Sequence, residues 1–231
     1  MARIVKEHAV RRNEILDVAR RLMYTRGYDQ MSIQDILDEL KIAKGTFYHY
    51  FSSKQALLEE LIERLMEEAE QVIRPIAHDP HLSALEKFQG YFSTLASWKT
   101  TRKTFLLSIL RVWYADDNAL MRQKMQVAGI KRIAPLLITI IRQGVKEGSL
   151  ATPFPDQCSE IIVSIAMSLS DTLSGLLLSS ELGFDALPRL ESTIAAYTDA
   201  LERVLGAPSG SFHLMDIELL KEWIVSPEGN P

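Results

Sequence analysis

Between Gly27 and Ser52 the apolar residues fall in two bursts, each too short to sustain a helix by itself. Ile33, Ile36, Leu37 and Leu40 recur at the spacing of one helix face, with Ser32 placed to cap its start and Asp35 in its first turn to meet the positive helix end. After a brief turn at Lys41–Ile42, the stretch from about Ala43 to Tyr50 predicts a second helix. Helices shorter than about 12 residues are marginal in water, so both must pack on neighbours. Those neighbours flank them. Ile15, Val18, Ala19, Leu22 and Met23 mark a preceding helix that Gly27 ends. Leu57, Leu58, Leu61, Ile62, Leu65, Met66, Ala69, Val72 and Ile73 keep one apolar stripe in a following helix. Ser52 with Gln55 reads as the capping box of that helix, and Pro75 as its end. Two short helices joined by a tight turn and held by a longer one form a helix-turn-helix, whose second helix is the one that enters a DNA major groove.

The rest of the chain is also helical by periodicity. Segments are expected at about 82–98, 102–114, 118–147, 156–180, 188–205 and 214–224, separated by Gly148, the PFP at 153–155, Gly183 with Pro188, and APSGS at 207–211. Pro135 falls inside a segment, where a helix should kink or restart. With no strand pattern longer than a few residues, the fold class is all-α, about nine to ten helices. Apolar residues make up 47% of the 231, enough to build a core without staples. A single cysteine, Cys158, excludes an intramolecular disulfide and points to a reducing compartment, the cytoplasm. The stretch MARIVKEHAVRRNEIL has charges throughout and no apolar centre, so no signal peptide is expected. Ile161–Leu178 is the most apolar run, but it holds Asp171 and four serines, which predicts a buried helix of a soluble protein with no membrane partner.

Charge is uneven along the chain. Residues 1–54 carry ten Lys/Arg against seven Asp/Glu, a net +3, which leaves −7 on the remainder of a chain whose total is −4. A basic head on an acidic body suits a polyanion partner for the head. Within the head, Phe47-Tyr48-His49-Tyr50-Phe51 sets four aromatics and a histidine in consecutive positions. Phe47 is expected to face the core and Phe51 to close it, while Tyr48 and His49 point outward with polar tips. Gly45 would let the backbone come close to DNA, and Lys44, Thr46, Tyr50 and Lys54 suit phosphate oxygens, which fix register without reading sequence.

The runs GYDQMSIQDI (27–36) and IAKGTFYHYFSSKQAL (42–57) resemble the TetR family of bacterial repressors, whose pattern is G-[YF]…[ST]-x-x-x-I followed by [VI]-[SA]-x-G-[ST]-[LIF]-Y-x-[HY]-F-x-[SN]-K-x-x-L. The resemblance covers about the first 60 residues. It departs from the pattern at Leu40–Lys41, where the family has a small residue and glycine, and at Gln55, where an acidic residue is common. A left-handed Lys41 would cost roughly 1–2 kcal/mol. The resemblance implies a DNA-binding head at 1–54 and a helical effector-binding and dimerisation body at 55–231. It implies base or backbone reading by Tyr48 and His49, and phosphate contacts by Ser32, Lys44, Thr46, Tyr50 and Lys54. It also implies a homodimer through the helices at about 156–180 and 188–205, a near-palindromic double-stranded operator, and a small-molecule effector.

The body gives fewer signals. Phe92, Trp113, Tyr114, Met121, Met125 and Met167 are candidates for an adaptable apolar effector pocket, and each could equally be ordinary core. Asp171 shares a helix stripe with Ser164, Ser168 and Gly175, which suits close packing or a solvated edge. His78, Asp79 and His81 flank Pro80 in a turn that aims them at no common point, so no metal and no cofactor are expected. The sequence has no acid/base pair at fixed spacing and no phosphate-cradling glycine loop, so it is not read as an enzyme. The leading expectation is a ligand-responsive repressor released by a hydrophobic or aromatic effector. The alternative is a DNA-binding regulator whose body engages a protein partner.

Overall fold

A computed structural model describes residues 2–178 and 186–224. Among these the chain forms α1 (Ala2–Arg26), α2 (Ile33–Leu40), α3 (Lys44–Tyr50), α4 (Lys54–Ala77), α5 (Ala84–Thr100), α6 (Lys103–Trp113), a 3-10 turn (Asp116–Asn118), α7 (Ala119–Glu147), α8 (Pro155–Leu178), α9 (Ala186–Leu205) and α10 (Ile217–Ile224). The all-α expectation holds for the described residues. Gly183 and residues 179–180, expected as a breaker and a helix end, lie outside them. The helices group into two compact units, residues 1–67 with 104–122, and residues 68–103 with 123–231, whose boundaries fall inside α4, after the first residue of α6, and inside α7. This division by packing is distinct from the division by role at residue 54.

The first unit gathers α1 to α3 around the first half of α4. Ile15, Leu16, Ala19 and Met23 of α1, Ile36 of α2, Phe47 of α3, and Leu57 and Leu58 of α4 are all buried to within 1%. Gly27 leaves α1 at φ 81° and donates to the Met23 carbonyl at 2.9 Å, the left-handed helix ending expected of it. Salt links bind the exterior: Arg12 to Glu60, Arg21 to Glu39, and Arg64 to Asp17 (2.9 Å); Arg64 also donates a hydrogen bond to the Asn13 side-chain carbonyl at 3.0 Å. The start of α4 corrects the sequence reading. The cap is Ser53, whose hydroxyl accepts from the Ala56 N–H at 3.0 Å. Because α4 begins at Lys54, Gln55 is its second residue and cannot close a box with Ser52.

The second unit has its core where α4, α5, α7, α8 and α9 meet, around Ile73, Phe88, Leu137, Ile140, Ile162, Leu201 and Leu205. Ser83 and Glu86 form a reciprocal capping box at α5. Gly206 ends α9 at φ 61°, and a Cβ there would stand 3.0 Å from the Ala151 backbone, so both conformation and space demand glycine. Glu202, only 5% exposed, accepts from the Gly210 and Phe212 N–H groups at 3.0 and 3.1 Å and so shapes the loop that follows.

Pro75 behaves differently from its sequence reading. Pro75 does not end α4, which runs on to Ala77, and α7 continues through Pro135 without restarting. Each proline removes one hydrogen bond, to the carbonyl four residues earlier, while the residues beyond keep theirs; His78 still donates to Arg74 at 3.3 Å. Pro188 lies in the first turn of α9, where a missing N–H costs nothing. The expectation of a buried helix at 161–178 is also revised. Residues 164–178 are half-buried or exposed, and Ile161 is 45% exposed. An 18-residue window of α8 has a mean hydropathy of 1.8, so by length and composition alone the helix is long and apolar enough to cross a membrane. Composition reports how apolar a helix is, not which surface covers it.

Candidate nucleic-acid interface

Helix α2 is fixed at both ends. Ser32 and Asp35 form a full capping box: the Ser32 N–H and hydroxyl donate to Asp35 Oδ2 at 2.8 and 2.6 Å, and the Asp35 N–H donates back to Ser32 Oγ at 3.1 Å. Those bonds from Ser32, with Arg26 nearby, hold the Asp35 carboxyl below the usual carboxylate range. At the other end Lys41 takes φ 53°, ψ 44°, the left-handed conformation that its place in the turn requires. Its N–H returns to the Leu37 carbonyl, and the Ile42 N–H follows to the same oxygen at 3.1 Å. That tight return brings α3 to its position.

Helix α3 is anchored through its rings and open on its other face. Phe47 is fully buried and Phe51 is 3% exposed; their ring centres are 5.8 Å apart, and the Arg12 guanidinium lies 5.5 Å from the Phe51 ring. Tyr48 is 45% exposed, with the Lys44 ammonium 5.9 Å from its ring centre. Lys44, Gly45 and His49 are exposed, and Thr46 and Tyr50 half-buried. Nothing stands within 4 Å of where a Gly45 Cβ would be. The protein's own packing therefore gives no reason for glycine at a helical position, where it costs about 1 kcal/mol against alanine.

Of the eight residues expected to face DNA, six lie on α3: Lys44, Gly45, Thr46, Tyr48, His49 and Tyr50. Ser32 and Lys54 lie apart from it and have internal partners. The Lys54 ammonium donates to the Tyr28 carbonyl at 2.6 Å and sits 4.1 Å from the Tyr28 ring centre. Burial pulls the Lys54 ammonium below its ordinary value, against the opposing pull of Asp29 and Asp35, and burial raises the Tyr28 phenol. One participant went unread in the sequence. His8 of α1 places its ring 5.4 Å from His49 and 4.5 Å from Tyr50, so α1 reaches the recognition face. Only a lone histidine 41 positions upstream announced it.

The pocket candidates divide between the units. Trp113, Tyr114 and Met121 belong to the first, where Arg122 donates to the Trp113 carbonyl at 2.6 Å and lies 5.4 Å from the Tyr114 ring. Phe92, Met125 and Met167 belong to the second; Phe92 sits in its core, stacked at 6.4 Å on Phe88, and Met167 packs against that core. Two clefts in the second unit, one along α5 and one beside α9 and α10, include none of the six. Asp171 is half-buried beside the exposed Ser164, Ser168 and Gly175, and it is not unpaired: Gln126 donates to it at 3.0 Å. His78 and Asp79 serve the turn itself, bonding the Arg74 carbonyl at 2.9 Å and the His81 N–H at 2.8 Å.

Comparison with known proteins bears on both units. Residues 15–61 match the model for bacterial regulatory proteins of the tetR family, and residues 112–174 match a tetracyclin repressor-like C-terminal domain. The HTH-type transcriptional repressor KstR2 of Mycobacterium tuberculosis H37Rv is 26% identical over 152 residues, 64% of this chain and 73% of the relative. The HTH-type transcriptional regulator EthR of Mycolicibacterium smegmatis is 24% identical over 172 residues, 65% of this chain and 79% of the relative. Among solved structures, a TetR-family transcriptional regulator from Pectobacterium atrosepticum superposes with a TM-score of 0.64 at 18% identity, covering 88% of this chain and 98% of that one. At that identity the likeness speaks for the fold.

Proposed function

The chain belongs to the TetR family of bacterial transcriptional regulators, DNA-binding proteins rather than enzymes, and from that premise we propose a ligand-responsive repressor. It binds a near-palindromic operator as a homodimer in the cytoplasm and releases it when a small hydrophobic or aromatic effector occupies the body, residues 55–231. The observation that carries the DNA-binding part is the two-sidedness of α3. Phe47 and Phe51 fix the helix from behind, while Tyr48 and His49 stand exposed and Gly45 leaves an uncovered patch of backbone. A dimer sets two such helices one DNA turn apart, about 34–36 Å, on an operator of matching symmetry.

Support for the dimer comes from α8 and α9. They pack on each other, and Ser168 and Thr172 meet the Tyr197 hydroxyl at 2.8 and 3.2 Å, yet the apolar second half of α8 is left without full cover in one protomer. The coupling of effector and operator is thermodynamic: each weakens the other by the same factor.

The test is fluorescence anisotropy of the full chain on DNA from upstream of its own gene, across a salt series. Tyr48→Ala should lose sequence-dependent affinity, about tenfold or more, and Lys44→Ala should shallow the log–log salt slope by about one. Equal, weak binding of wild type to every DNA would remove the operator reading and favour a protein partner for the body.

A further inference from the structure

His49 stands exposed on the outer face of α3, where a side chain is ordinarily free to rotate. Among the described residues no hydrogen bond fixes its imidazole; rings hold it instead. The Tyr50 ring meets it edge to face at 5.0 Å, and the His8 ring of α1 meets it in the same manner at 5.4 Å. His8 and Tyr50 close the triangle, 4.5 Å apart. Aromatic pairs at such separations and angles attract each other beyond the area they bury. One side of the triangle lies within α3; the other two depend on His8.

Tyr48, the other outward ring, is held differently. Its supports are Phe47, edge-on at 5.5 Å, and the Lys44 ammonium at 5.9 Å, both on α3 itself. His49 leans on another helix, and that helix is firmly seated here. One turn after His8, on the same face of α1, Arg12 lies 5.5 Å from the Phe51 ring and pairs with Glu60 of α4. Helix α1 thus meets the C-terminal end of α3 in two successive turns, Arg12 against Phe51 and His8 against Tyr50 and His49. His8 is itself exposed, so its packing removes little surface from water. What it changes is the freedom of its neighbours. A reading side chain that must be ordered on binding costs affinity, and one ordered beforehand on a rigid element meets a base in one geometry.

We propose that His8 is a positioning residue for base recognition: it orients the His49 imidazole, so that α1 takes part in choosing the operator sequence without itself touching a base. The assignment rests on the operator reading above and deepens it, naming a determinant of specificity outside the recognition helix.

The experiment begins with selection of a preferred sequence from a random duplex pool by the full-length wild type. Fluorescence anisotropy then measures each variant on that duplex, on its single-base-pair changes and on unrelated DNA. His49→Ala should flatten the discrimination at the base pairs it reads. His8→Ala should flatten it at the same base pairs by about fivefold, the strength of a ring contact of this kind. Its affinity for unrelated DNA and its salt slope should stay as in wild type. In the His49→Ala background, His8→Ala should add nothing. His8→Phe, which keeps a ring and has no nitrogen, should restore most of the discrimination. A merely structural role would weaken binding to every duplex alike, and that result would overturn the assignment. A shallower salt slope, or a His8→Phe protein as indiscriminate as His8→Ala, would overturn it too, by placing the His8 nitrogen on the DNA itself. Failure of the parent reading looks different. A pool that yields no preferred sequence, or a His49→Ala protein with wild-type discrimination, removes base reading by His49 and the role of His8 with it. Discrimination lost in His49→Ala and kept in His8→Ala removes the role of His8 and leaves the parent reading standing.

Discussion

The Lys54 ammonium stands between two parts of one residue, 2.6 Å from the Tyr28 carbonyl oxygen and 4.1 Å from the Tyr28 ring centre. It ties the first turn of α4 to the loop between α1 and α2, and so holds the frame in which α2 and α3 sit. A charged hydrogen bond with a cation over a ring is worth about 2 kcal/mol at a half-buried site. Lys54→Met should therefore destabilise the head by about that much and weaken binding to all DNA sequences alike. The salt slope should stay put, because no phosphate contact is lost. A slope shallower by about one in Lys54→Met, as in Lys44→Ala, would return Lys54 to the phosphates.

Lys41 holds φ 53° without being glycine, at the turn between α2 and α3. A left-handed residue with a Cβ costs about 1–2 kcal/mol, part of which glycine would give back through the freedom of the unfolded chain. Lys41→Gly should stabilise the head by about 1 kcal/mol, seen as slower native-state hydrogen exchange at the amides of residues 41 and 42, which donate to the Leu37 carbonyl. Faster exchange there would mean that the side chain contributes more than the conformation costs.

What the sequence made legible was local, and what it hid was distant. The ending of α1 at Gly27, the Ser32 cap and the burial of Phe47 each depend on residues a few positions apart, where spacing carries the information. Tyr28 and Lys54 are 26 positions apart, and no pattern in either segment reports that they meet. Asp171 looked solitary because Gln126 lies on another helix. The packing of His8 on His49 was equally invisible, since nothing in either segment reports the other. Ser52 against Ser53 shows the smallest error: with two serines adjacent, the helix start decides which one caps, and spacing alone does not fix the start.

The capping of α2 carries a pH dependence. The Asp35 carboxyl is held below its ordinary value chiefly by the Ser32 hydroxyl and N–H, with Arg26 adding to this. A carboxyl depressed in the folded state contributes its stabilisation in full above the ordinary carboxylate range, and loses it as pH falls through the depressed value. Head stability should therefore be flat near neutrality and fall below about pH 4. Ser32→Ala should cost about 1 kcal/mol at pH 7 from the lost cap and also reduce the acid-side fall. The check is helix content followed by circular dichroism from pH 7 to pH 2.5 in both proteins; parallel curves would show that Ser32 does not set the Asp35 titration.

Gly175 offers the sharpest probe of the proposed dimer. It lies on the exposed stripe of α8 with Ile161, Ser164 and Ser168, and nothing in its own protomer stands within 4 Å of where its Cβ would be. Within one protomer, then, glycine here only costs helix propensity, and Gly175→Ala should be neutral or stabilising by up to about 1 kcal/mol. If a second α8 packs on this stripe, a long charged side chain cannot be accommodated. Gly175→Lys should keep its helix content by circular dichroism and sediment as a monomer at concentrations where wild type and Gly175→Ala sediment as dimers. Loss of the dimer should lower operator affinity steeply, because two linked heads gain an effective concentration that single heads lack. A Gly175→Lys protein that remains dimeric would exclude this face of α8 from the interface.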